Sequence, residues 1–154
     1  MKKIIFLILF TWIASTNIFG ESLDNTVGIG LGYPYVSLKY GLSTNISIEG
    51  RYAFGKGINV YGGRLYYNFN PDDRLVKYIG MEHNYVLFEQ EDVSGDGYVG
   101  VGFIGVEYFI KNNLSLNMDL GISYSKLSDK TDVSVEGIDY LLNVGVNIYF
   151  DSEK

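Results

Sequence analysis

Seven charged residues in this 154-residue chain sit in stretches that otherwise alternate apolar with small or polar side chains: Lys39, Glu49, Arg51, Arg64, Glu82, Glu107 and Asp119. A period of two puts successive side chains on opposite faces of a strand, and all seven share the face opposite the aliphatics. Three are basic and four acidic, and charges removed from water persist only when paired. The set therefore reads as a salt-bridge plug inside a closed sheet, or else as a gate on a narrow water path with weak ion selectivity. Other chemistry is sparse. His83 is the one histidine, and its neighbours Glu82, Asn84 and Tyr85 supply no nucleophile. Asp92, Ser94, Asp96 and Gly97 resemble the start of a calcium loop, but its twelfth position is Phe103 where a glutamate is required. Catalytic residues, a cofactor site and a dedicated metal site are therefore not predicted, and the chain is not expected to be an enzyme. Glu89, Glu91, Asp92 and Asp96 form one acidic loop, which reads as a solvated hairpin turn or a loose divalent-cation site.

The elements that position these residues are strands. TVGIGLGY places Val27, Ile29, Leu31 and Tyr33 opposite glycines, and the parity flips at Pro34, which favours a turn there over a bulge. Val36 to Leu42, Asn45 to Phe54, Ile58 to Phe69 and Leu75 to Phe88 follow, with short connections at Ser43-Thr44, Gly55 to Gly57 and Asn70 to Arg74. In the last of these strands His83 falls on the outward set beside Met81 and Tyr85, which a bulge would correct. Glu89 to Gly97 reads as a loop. The glycine-rich strand from Tyr98 to Ile110 has a definite phase only if Glu107 faces inward. Leu114 to Tyr124 alternates most cleanly, Lys126 to Gly137 reads as the longest loop, and Tyr140 to Phe150 closes the set. Eight strands result, with short connections on the side of the termini and the two long ones opposite.

Composition and charge narrow the class. Residues 1–20 carry Lys2 and Lys3, then an apolar run from Ile4 to about Ala14, which is the pattern of a cleaved signal peptide and shorter than a spanning helix needs. Residues 21–154 then form one domain. Without Lys2 and Lys3 that domain holds ten basic against eighteen acidic residues, so nucleic acid is excluded as a partner. The chain lacks cysteine, as a fully hydrogen-bonded barrel can.

An oily face opposite a wet one fits both a membrane barrel, oily side out, and a soluble lipocalin-like binding barrel, oily side in. Two features favour lipid. The apolar face from Tyr140 to Phe150 rises ~25 Å at a strand tilt near 40°, and aromatics gather at the strand ends. Asn143, Gly145, Ile148 and Phe150 resemble the C-terminal insertion signal of bacterial outer-membrane proteins: a polar residue, a glycine two later, then two hydrophobic residues at alternate positions. The mature chain is thus similar to small eight-stranded outer-membrane barrels of the OmpA/OmpX/OmpW-like kind. It departs from them in continuing past the aromatic to Lys154, and in carrying aliphatic Ile148 where an aromatic is usual. The resemblance implies an all-β, eight-stranded antiparallel up-and-down transmembrane barrel in the cell outer membrane, exported through the general secretory route. Outer-membrane lipid and lipopolysaccharide would surround it, and the barrel-assembly machinery and periplasmic chaperones would handle it during biogenesis. A structural or surface-interaction role follows, with a narrow channel for small or apolar solutes as the alternative.

Overall fold

A computed structural model describes residues 23–90, 93–129 and 133–151; the signal peptide expected over 1–20 lies outside the described residues. The chain forms eight strands: β1 (Thr26–Gly32), β2 (Tyr35–Gly41), β3 (Ile46–Gly55), β4 (Ile58–Asn68), β5 (Leu75–Gln90), β6 (Val93–Lys111), β7 (Leu114–Asp129) and β8 (Ser134–Asp151). Each pairs antiparallel with its sequence neighbour, and β8 returns to β1, so the sheet is a closed up-and-down barrel. The expected eight-stranded fold is the fold observed.

The register sets the barrel's shape. From Leu38 the pairing row runs through Gly50, Gly63, His83, Gly100 and Tyr124 to Ile138 on β8. In the other direction Leu38 pairs Ile29, and Ile29 pairs Ile148, ten residues farther along β8. That stagger tilts the strands by roughly 40° and leaves an interior just wide enough for side chains to fill. Inward and outward residues alternate throughout. Leu38, Met81, Ile104, Leu120 and Ile122 are exposed on the outer wall, whereas Lys39, Glu49, Arg64, Glu107 and Asp119 are buried inside.

Several expectations need correction. The stretches read as loops at Glu89 to Gly97 and Lys126 to Gly137 are largely strand: β5 and β6 stay paired as far as Gln90 and Val93, and β7 and β8 as far as Ser128 and Ser134. β8 accordingly begins six residues before Tyr140. Outside an apolar environment both faces of a strand are polar, so the alternation fades although the backbone ladder continues. No bulge occurs at His83, whose pairs on both sides keep register. The one irregularity in β6 lies between Phe109 and Lys111. A turn, with a cis Tyr33-Pro34 peptide, joins β1 to β2. In β6 the inward parity carries Glu107 together with Val101 and Phe103.

Candidate functional site

Alternation turns all seven charged residues into the lumen, and the stagger of the strands stacks them in two layers. Glu107 is the centre of the layer nearer the termini. It is fully buried, and Lys39 of β2 approaches it to 2.8 Å. Its other oxygen accepts hydrogen bonds from the Ser115 hydroxyl, from Asn147 Nδ2 at 2.7 Å and from Tyr149 Oη at 2.6 Å. Lys39 Nζ also lies 4.4 Å from the centre of the Tyr66 ring, whose face favours a cation. Below this layer the buried Asn68 donates to Ser47 at 3.0 Å, and Leu23 is buried near the termini.

Arg64 is the centre of the second layer. Nη1 and Nη2 each donate to Asp119 at 2.9 Å, Nε donates to Glu82 at 2.7 Å, and Nη1 also reaches Tyr66 Oη at 2.9 Å. This is the fork-on-fork geometry in which a planar guanidinium binds a carboxylate most strongly. Asn143 completes Asp119 with a 2.8 Å bond, and Tyr66 donates its hydroxyl proton to Glu49. Tyr66, Tyr78 and Phe103 meet edge-on at centroid distances of 5.3 to 6.1 Å, and the Arg64 guanidinium lies 3.9 Å over Phe103.

Arg51 is held differently. Its contacts with Glu49 and Glu82 are 3.5 Å each, and Nε has no hydrogen-bond partner although the side chain is 7% exposed. Its main support is Tyr35, whose ring lies 3.6 Å beneath the guanidinium. Above Arg51 the charges give way to a mixed lining: Val60, Val86, Val99, Val101 and Leu141 line the lumen together with Asn84, Ser123 and Ser125, and Val60, Val99 and Leu141 are only half-buried.

Of the residues resembling an insertion signal, Asn143 and Gly145 face inward and Ile148 and Phe150 face outward. A methyl group on Gly145 would stand 2.2 Å from Tyr35 Oη and 2.8 Å from Asn117 Oδ1, so a larger residue there displaces the ends of both side chains. His83 faces outward and stacks on Tyr98 at 5.6 Å. Of the acidic loop, Glu91 and Asp92 lie outside the described residues, and among the described residues no group of three or more acidic, histidine or cysteine side chains is arranged to hold a metal ion. Parity marks Tyr66 and Tyr149 as inward-facing. Nothing local marks them as donors to Glu49 and Glu107, because those partners lie 17 and 42 positions away.

No family model and no curated protein matches the chain. Solved structures are similar to it, among them these two. The N-terminal β-barrel domain of Pseudomonas aeruginosa OprF aligns with a TM-score of 0.58 at 17% identity, covering 82% of this chain and 98% of that domain. Neisserial surface protein A, NspA, aligns with a TM-score of 0.55 at 15% identity, covering 81% and 92%. The shared property is the fold, a small closed barrel of the same extent.

Proposed function

We propose that this chain is an integral outer-membrane barrel with a structural or surface-interaction role and a lumen closed by ion pairs. The observation that carries the reading is its inverted partition: aliphatic side chains cover the outer wall while five charged side chains are at most 5% exposed within. Water on the outer wall would make that face a very large apolar patch, which soluble monomers avoid, and a lipocalin-like barrel would need the opposite arrangement. Two aromatic girdles fit the interfaces of a bilayer: Tyr61, Tyr98, Tyr124 and Tyr140 toward the long hairpins, and Tyr40, Tyr67, Tyr108 and Phe150 toward the termini, all exposed. Lipid and lipopolysaccharide are then its surroundings. Export by the general secretory route and insertion by the barrel-assembly machinery, with periplasmic chaperones, follow from that address.

The two-layer network supports a plug over a channel, since Arg64 alone bridges carboxylates from β5 and β7. Heat-modifiability on gels of carbonate-washed outer-membrane fractions tests address and closure together: a folded band that migrates apart from the boiled one is expected, and release by the wash refutes the reading. Planar-bilayer recording tests the plug, for which reproducible conductance above that of bare lipid is the contrary result.

A further inference from the structure

The barrel wall is not of even height. β1 ends at Gly32, opposite Gly145, and β2 begins at Tyr35, yet β8 extends on to Ser134. From Ser134 to Val144, β8 pairs with β7 on one side, and among the described residues no strand pairs its other side. Across the gap stand the last residues of β3, where Phe54 donates its N–H to Pro34 at 3.1 Å. The gap opens below the upper girdle, because Tyr140 lies four residues above Val144 on the same strand. Ile138 and Tyr140 are each 74% exposed and Leu142 66%, more than any aliphatic of the outer wall between β2 and β7.

We infer that this notch is a lateral binding site for a bilayer lipid, whose acyl chain passes over the β1–β2 hairpin into the upper lumen; the inference rests on the membrane reading above. The chemistry of the notch has two sides. Val60, Val99 and Leu141, half-buried, give an apolar strip that a hydrocarbon chain covers, beside the smaller polar side chains of Asn84 and Ser125. The free edge of β8 presents N–H and C=O groups, of which the Tyr140 N–H is taken by Asp139 Oδ1 at 2.8 Å, and the remaining groups of an open sheet edge facing hydrocarbon are costly to leave unpaired. A wholly apolar occupant leaves that edge unpaired, and a wholly aqueous one wets the valines. An amphiphile satisfies both, with its ester oxygens on the β8 edge and its chain beside Val99.

The anionic end of such a molecule stays outside. Four acids against three bases fill the network below, and Asp139 shares the inward parity of Leu141 at the mouth. A groove of about 680 Å³ on the outer wall, over Gly50 and between Leu38, Tyr52 and Tyr61, includes Val36 at the same hairpin and offers lipid a path along the wall. Tyr35 stands at the sill, its ring folded over Gly32 and stacked on Arg51.

The chain has no cysteine, so single-cysteine variants can each carry one fluorophore. Val99→Cys reads the upper lumen, Leu142→Cys the lipid-facing wall and Val135→Cys the hairpin above the girdle. The quencher is phosphatidylcholine bearing a nitroxide on its acyl chain, in vesicles of phosphatidylcholine, with folding of each variant checked by heat-modifiability. Quenching at Val99 equal to that at Leu142 is expected. Inserting four residues into each strand of the β1–β2 hairpin, enough to pair β8 from Val144 to Leu141, should close the notch below the girdle and abolish quenching at Val99 alone. Quenching at Val99 no greater than at Val135 overturns the inference, as does quenching that survives the insertion; Leu141→Cys gives the same reading if Val99→Cys does not fold. Absence of quenching at Leu142 instead counts against the membrane reading itself.

Discussion

Arg64 and Asp119, on β4 and β7, lie 55 positions apart and meet through two parallel N–H···O bonds of 2.9 Å, with both side chains 2% exposed. They are not strand neighbours, because β5 and β6 separate them around the wall. Their bond therefore spans the lumen and ties opposite sides of the barrel together.

Truncating this link leaves a carboxylate buried without its partner. Arg64→Ala should destabilise the barrel by about 3–5 kcal/mol, and Arg64→Lys should recover only part of that, since an ammonium cannot make the forked contact. The midpoint of urea unfolding in lipid vesicles, read as loss of the folded gel band, measures both.

The layer around Glu107 makes a graded series. Glu107→Ala strands the Lys39 ammonium, which is 3% exposed, and should cost about 3–5 kcal/mol by the same argument. Ser115→Ala removes one of four donors to Glu107 and should cost about 1 kcal/mol. Equal losses in the same unfolding assay would mean that the layer does not act through its charge pair.

The closing strand supplies an assembly test. Gly145→Asp forces a side chain against Tyr35 and Asn117, and Phe150→Ala strips the last exposed aromatic of β8. Both should reduce the yield of inserted protein far more than a change such as Val133→Ala in the β7–β8 connection. Pulse-chase labelling scored by the folded band compares them.

Outside the membrane-spanning segments, Lys126 and Glu136 form an exposed pair at 2.8 Å between β7 and β8. Hydrogen bonds from Lys126 and Tyr124 hold the Glu136 carboxyl below its ordinary range, and the bond to Glu136 raises the Lys126 ammonium. The contribution of Glu136 is complete above the carboxyl's unfolded value and is lost as pH falls through its lowered folded value. That of Lys126 is complete below the unfolded ammonium value and is lost as pH rises through its raised one. Amide exchange at Leu127 and Val135, corrected for its intrinsic pH dependence, should be slowest between these limits and quicken in acid. The change should vanish in Glu136→Gln.

Alternation in the sequence determines which way each side chain faces, because a strand has a period of two whatever it pairs with. That fixes the inward charge set, the outward aliphatics and the eight-strand plan, and makes the phase of β6 follow from Glu107. Tertiary structure decides the rest. Facing says nothing about height, and only the ten-residue stagger around the barrel brings Lys39 to Glu107 and Arg64 to Asp119. Strand length is likewise hidden at the outer ends, where polar residues on both faces erase the alternation while backbone pairing continues to Gln90, Val93 and Ser134. The notch beside β8 is a difference between those lengths. It emerges only when β1 and β8 are laid side by side, since each strand read alone is complete.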